Sequence, residues 1–419
     1  MPSSFIRQSD ILERQILAAR WVFPVEGPPL ERAIVEVEGS RIAAVYQGEH
    51  PRAVDLGNTA LIPGLVNTHT HLEFSQLESP LGPTKPFAAW IRSIMKSRFT
   101  CTVPAGQRIQ QGIEESLKAG TTCLGEIATS SESLQLLSAD DRKPSAVVFR
   151  ECLGFTPDRI EKQQQIAADY LQLGTDLELS DAVGLGISPH APYSVNPDLY
   201  LNLVQQARDQ GVPAAVHLAE TEDELEFLTQ KSGPFVDLLA ELGLWDPQIL
   251  RDGMRLYDYL APLAELTSAL AVHGNYFGDA EIEFLKQAPQ ISVVYCPRTH
   301  HYFGHRPHPW LTLISQGINV ALGTDSRASN PDLSLWKELQ FLREQFPNVS
   351  TDLILECGTL AGARALELSD RLGSLTVGKR ADLALIRLTD DLVSDTGGAH
   401  LLNSRSYVSR VMLNGVWIN

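Results

Sequence analysis

Several apolar runs in this chain stop at a histidine or an aspartate. The run that opens at Leu61 ends in Asn67-Thr68-His69-Thr70-His71. On an extended backbone an H-x-H pair puts both imidazoles on one face, because side chains alternate along a strand. Two converging neutral imidazoles suit a borderline cation such as zinc. Two ligands do not complete a site, and the same pair also fits a solvated loop hydrogen-bonded to backbone. Further candidates stand at three other run ends: Ala215-Val216-His217-Leu218-Ala219-Glu220, Val272-His273-Gly274 and Gly323-Thr324-Asp325-Ser326. Four independent run ends of this kind point to a metal site. The chemistry of such a site is hydrolytic, because a bound zinc lowers the pKa of its water to about 7.

These residues need elements that bring distant run ends to one face. Between Leu61 and Asp325 short β-branched runs alternate with segments of helical period. The expected strands are Leu61–Thr68, Thr121–Ile127, Ala146–Arg150, Val183–Ser188, Pro213–Leu218, Leu270–His273, Ile291–Cys296 and Ile318–Gly323. Helical patterns such as Pro197–Asp209 and Ser334–Gln345 follow them. Eight such units predict a closed (β/α)8 TIM-like barrel, whose C-terminal strand ends share one mouth. The chain ends read differently. Residues Ala33–Tyr46 alternate around Glu38-Gly39-Ser40 as a hairpin does, and Asp382–Ile386 and Tyr407–Trp417 read as strands with an Asn414-Gly415 turn. The expected organisation is a barrel over 63–370 and a small β-sandwich domain built from 1–62 and 371–419.

Composition narrows the function classes. With 419 residues, 43% hydrophobic and 20% charged, the chain is globular rather than disordered. No run approaches the roughly 18 apolar residues of a spanning helix, and Met1 to Arg20 lacks the layout of a signal peptide, so a cytoplasmic protein without a membrane partner is expected. A net charge of −17 without a basic patch argues against a nucleic acid polymer as partner. The five scattered cysteines, with no C-x-x-C pair, fit neither a disulfide framework nor a cysteine zinc site. There is no G-x-S-x-G elbow, P-loop or dinucleotide fingerprint, and His71-Leu72-Glu73 lacks the P-C-x-x-C partner of the nucleobase-editing deaminases.

The chain resembles the amidohydrolase superfamily, in its cytosine-deaminase-like branch with the adenosylhomocysteine, methylthioadenosine and guanine deaminases and the triazine chlorohydrolases. The residues that carry the resemblance are Pro63-Gly64-Leu65-Val66-Asn67-Thr68-His69-Thr70-His71, His217-x-x-Glu220, His273-Gly274, Cys296-Pro297, Gly323-Thr324-Asp325 and the tail Gly373-Ser374-Leu375-x-x-Gly378-Lys379-x-Ala381-Asp382-Leu383. The resemblance implies that His69, His71, His217 and Asp325 bind one divalent metal per chain, zinc foremost, with Fe2+ or Mn2+ as alternatives. It implies catalytic roles for Glu220, His273 and Asp325: Glu220 protonates a ring nitrogen, His273 stabilises the oxyanion, and Asp325 accepts the proton of water. The bridging carboxylated lysine of two-metal relatives has no counterpart, since no lysine lies between Lys162 and Lys231. The implied activity is hydrolytic deamination of an aminated heterocycle, a small-molecule substrate such as adenosylhomocysteine, methylthioadenosine or aminodeoxyfutalosine. Chloride displacement or amide cleavage at the same metal, and a catalytically silent metal-binding relative, are the alternatives.

Other residues carry two readings each. His190 matches a substrate-contacting histidine of the family, or caps a loop before Pro192; Arg150 resembles a substrate-anchoring arginine, or joins a surface ion pair, as does Arg159. Phe87 to Arg92 lacks the glutamate that family members use for ribose hydroxyls. Ser326 to Asn330 contacts substrate or caps the next helix. Glu220 is a catalytic acid or a first-turn acid favoured by the helix dipole. Glu222, Asp223, Glu224 and Glu226 are expected at the solvated surface. His300, His301, His305 and His308, in one loop with Arg298, Tyr302, Phe303 and Trp310, are expected to form a pocket wall rather than a second metal site. Oligomeric state is open, with a homodimer through the barrel helices as the candidate.

Overall fold

The computed structural model describes residues 14–140, 142–177, 179–389 and 401–418. The first thirteen residues, which carry most of the signal-peptide reading, lie outside them, as does 390–400. Among the described residues no helix is long and apolar enough to cross a membrane.

Strands β1 (Arg14–Val22), β2 (Leu30–Glu38), β3 (Arg41–Gln47), β4 (Val54–Asp55) and β5 (Thr59–Pro63) precede the barrel. Its strands are β6 (Leu65–Thr70), β7 (Thr121–Ala128), β8 (Ser145–Cys152), β9 (Val183–Pro189), β10 (Ala214–Leu218), β11 (Ala269–His273), β12 (Ile291–Tyr295) and β13 (Val320–Leu322). After them come β14 (Leu383–Arg387), β15 (Tyr407–Leu413) and β16 (Val416–Ile418). β6 to β13 form an eight-stranded parallel sheet in sequence order. It closes at the mouth, where Thr70 bridges to Asp325 and the amides of Thr324 and Asp325 donate to the His69 carbonyl at 3.1 and 3.0 Å. Asn67 locks the seam by donating to Thr324 Oγ1 (2.8 Å) and accepting from the Thr324 amide (3.1 Å).

The strand expected over Leu61–Thr68 is two strands in two sheets. The chain changes sheet at Gly64, where a β-carbon would lie 2.0 Å from Thr122 Oγ1. The terminal strands form one eight-stranded sheet, ordered β16-β15-β14-β5-β1-β2-β3 with β4 beside β1. Its two faces bury different cores, as strand alternation requires. Leu61, Leu383 and Leu385 join a cluster with Val35, Ile42 and Met412. The intervening Ala60, Ile62, Ala384 and Ile386 belong to the large core around the barrel. Inside the barrel Val147, Phe149, Ala215, Leu270, Val272 and Val294 fill the lumen below the mouth.

Candidate metal centre and active site

Four strand ends meet at one point above the lumen. His69 and His71 leave β6 with ring centroids 4.9 Å apart and planes nearly perpendicular. His217, from β10, places Nε2 3.4 Å from His71 Nε2. One nitrogen from each of the three lies within 4.8 Å of the others. Asp325, after β13, sets Oδ1 3.6 Å from both His69 Nε2 and His71 Nε2. Gly323 permits the approach, since a β-carbon there would sit 2.8 Å from that of His69.

The backbone at this mouth is unusual. Ala219, His273 and Asp325 adopt left-handed conformations (φ 54, 73 and 56°) that side chains rarely take. Neighbouring groups hold them. The Glu224 carboxylate accepts from the amides of Ala219 (2.9 Å) and Glu220 (2.8 Å), His308 Nε2 donates to the His273 carbonyl (2.7 Å), and Ser329 Oγ donates to Asp325 Oδ2 (2.8 Å). His217 Nδ1 donates to the His190 carbonyl at 2.8 Å, which leaves Nε2 with its lone pair toward the cluster.

These residues fit a divalent cation. Both ring nitrogens of His69, and Nδ1 of His71, are buried without a hydrogen-bond partner. Burial, reinforced by the neighbouring imidazoles, drives the pKa values of His71 and His217 well below the usual range. Neutral imidazoles and a carboxylate are the ligand forms that a divalent metal requires.

Beside the cluster stands a proton-bearing pair. Glu220 is buried, and burial raises its pKa well above the usual carboxylate range; Asp325 and Glu224 add to the rise, while a hydrogen bond from Tyr193 opposes it. The Tyr193 hydroxyl donates to Glu220 Oε2 at 2.7 Å, and Glu220 Oε1 lies 3.4 Å from His273 Nε2, which is itself buried without a hydrogen-bond partner. Burial, then His217 and His69, keeps His273 neutral at ordinary pH.

A cavity of about 370 Å³ opens onto this cluster, within the range of small-ligand sites. Its inner wall includes His190, Tyr193 and Glu151, and its outer wall is largely apolar, with Trp90, Leu153 and Phe155 among the lining residues.

Several expectations need correction at this level. Arg150 does not line the cavity: its Nη1 donates to the Ala128 carbonyl at 3.1 Å, and Glu151, in phase with Val147 and Phe149, takes the inward position. Glu224 is not at the surface but fully buried beneath the site. None of the four loop histidines lines the cavity. His308 stacks on Tyr295 (centroids 3.9 Å apart) behind His273, His305 Nδ1 meets the Tyr276 hydroxyl at 3.0 Å, and His300 Nε2 donates to the Arg306 carbonyl at 2.8 Å. In the polar loop after Asp325, Ser326 lines the cavity and Ser329 holds the aspartate. Glu151, as a residue facing the site, was absent from the sequence reading, although the alternation Val147-x-Phe149-x-Glu151 carries the signal. Tyr193 and Ser329 have no comparable signal, because their partners are distant in the chain.

The model of the amidohydrolase family matches residues 60–418. An adenosine deaminase of Helicobacter pylori is 27% identical over 396 residues, covering 93% of each chain. Among solved structures, an adenosine deaminase from Xanthomonas campestris with bound zinc superposes with a TM-score of 0.76 at 25% identity, covering 96% of this chain and 92% of its own. The Helicobacter pylori aminofutalosine deaminase, solved with methylthio-coformycin, shares the fold at a TM-score of 0.81 and 24% identity, covering 97% of this chain and 100% of its own.

Proposed function

This chain belongs to the amidohydrolase family, and from that premise we propose that it is a metal-dependent hydrolase that deaminates an aminated heterocycle of the purine nucleoside type. The observation that carries the reading is Glu220: a buried carboxyl with a raised pKa, hydrogen-bonded by Tyr193 and placed beside His273, which holding a metal does not require. The deaminase names of the similar proteins in Helicobacter pylori and Xanthomonas campestris support the same reaction class.

His69, His71, His217 and Asp325 would hold the cation, and zinc fits three imidazoles and a carboxylate best. When bound, it supplies Lewis acidity and an acidified water. The chain's own residues do the rest. Glu220 gives its proton to a ring nitrogen, which makes the adjacent amine-bearing carbon electrophilic. Asp325 accepts the proton of the attacking water, and His273 Nε2 hydrogen-bonds the oxygen as charge develops on it. Asp325 passes the proton it took from water to the amine, the carbon–nitrogen bond breaks to release ammonia, and the proton remaining on the added oxygen returns to Glu220 as the ring keeps that oxygen. His190 binds the ring from the side. A cytoplasmic location accords with five cysteines that are all free thiols.

The test is ammonia release by zinc-loaded protein across adenosine, adenosylhomocysteine, methylthioadenosine, aminodeoxyfutalosine, guanine, cytosine and aminated triazines. A kcat/KM above about 10⁴ M⁻¹s⁻¹ on one ring is expected. Chloride release, or silence across the panel with one zinc per chain, would contradict it.

A further inference from the structure

One acidic side chain in the cavity has no part in the reaction above. Glu151, at the inner end of β8, is 3% exposed, and its Oε1 has no hydrogen-bond partner. Oε2 faces the Arg98 guanidinium at 4.0 Å. His190 Nε2 lies 3.9 Å from Oε1. His190 Nδ1 lies 2.5 Å from Ser194 Oγ, which is in turn 3.2 Å from the Ala191 carbonyl. Glu151 Oε1 stands in the cavity with no protein donor. A buried acceptor without a donor costs free energy that a ligand donor recovers.

Two occupants match a buried carboxyl oxygen beside an imidazole: a second cation, or an N–H or O–H group of a ligand. Glu151, His190 and His217 do fall within 4.8 Å of one another. His217, however, has one free nitrogen, and it faces His71, 3.4 Å away, because Nδ1 is engaged with the His190 carbonyl. A second cation would have only Glu151 and His190, too few for a site. The same proximity to His217 favours a ring substituent over a sugar hydroxyl, which lies further from the reacting carbon.

We propose that Glu151 Oε1, beside His190, accepts from a second N–H group on the heterocycle, so that this enzyme prefers a ring with an additional amino substituent to its monoamino counterpart. This rests on the deaminase reading only in that the ring sits at the histidine cluster.

The test separates the two claims. Binding of 2-aminopurine and of purine, neither of which carries an amine at the reacting carbon, is measured by calorimetry on zinc-loaded wild type, Glu151→Gln and Glu151→Asp. Turnover of 2-aminoadenosine and adenosine is measured in parallel. Wild type is expected to favour the amino member of each pair by about tenfold, the effect of one hydrogen bond to a buried acceptor. Glu151→Gln should reduce the preference to within about threefold, and Glu151→Asp should fall between, with zinc content and melting temperature near wild type. Should the Gln variant fail to fold, the Asp variant carries the test. An unchanged preference in both variants, no preference in wild type, or a second equivalent of zinc that Glu151→Gln abolishes would overturn the proposal. A binding preference without ammonia from any ring leaves this inference standing and removes the deaminase reading; ammonia without a preference does the reverse.

Discussion

The same residue type behaves in opposite ways at the barrel mouth and at the terminal sheet. Glu220, at the mouth, is buried among other carboxylates, and its pKa is driven up. Glu26, beside the terminal sheet, accepts hydrogen bonds from Ser374, from Thr376 at 2.7 Å and from Lys379 at 3.0 Å, and its pKa is lowered to about 2. One carboxyl holds its proton more tightly than usual and lines a cavity; the other is saturated with donors and fastens the chain ends together. The backbone draws no such line: Ala219, His273 and Asp325 are left-handed at the mouth, and Val25, Arg32 and Asn414 are left-handed at or beside the terminal sheet. At the mouth, hydrogen bonds from neighbouring groups hold the strained residues where the chemistry is proposed.

Breaking the mouth should cost far more than breaking the sheet. Asp325→Ala removes a proposed ligand, and metal analysis should show less than one zinc per chain, with turnover lowered by more than about 10²-fold. Ser329→Ala, which only frees Asp325 Oδ2, should weaken metal affinity by roughly tenfold, at the lower end of effects for outer partners of a ligand; a competitive chelator titration measures it. Tyr193→Phe should keep the metal and lower kcat several-fold. Because the Tyr193 hydrogen bond lowers the Glu220 pKa, its loss raises that pKa further, and the alkaline limb of the rate profile should move to higher pH. Glu26→Gln should leave kcat unchanged and cost up to about 1 kcal/mol of stability at pH 7, as for a half-exposed ion pair. Since its folded-state pKa lies below the ordinary 4.5, that contribution is complete above about pH 4.5 and is lost as pH falls toward 2. Melting curves of the two proteins should converge in acid.

The strand ends were legible because each apolar run stops at a polar residue: His217 and His273 lie within a residue of where alternation places them. What the sequence left obscure has local physical causes. The Leu61–Thr68 run reads as one strand because nothing in its pattern records the crowding of Thr122 against Gly64. Arg150 reads as a contact by its likeness to family arginines, whereas the phase set by Val147 and Phe149 turns Glu151 inward instead. Glu224 reads as surface because it stands in an acidic helix start, yet two amides of the left-handed turn at Ala219 require a buried acceptor. The loop histidines read as a pocket wall by composition, and only the packing on Tyr295 and the His273 carbonyl shows that they stand behind it.

The role proposed for Glu220 is that of a proton donor in a hydrolytic deamination, not of a metal ligand or a helix-start acid. It is tested most directly by measuring zinc content and ammonia release together on wild type and Glu220→Gln, with the ring that the substrate panel identifies. One zinc per chain is expected in both proteins, with turnover slower by about 10²-fold or more in the variant. A variant that keeps its zinc and deaminates at the wild-type rate would contradict it.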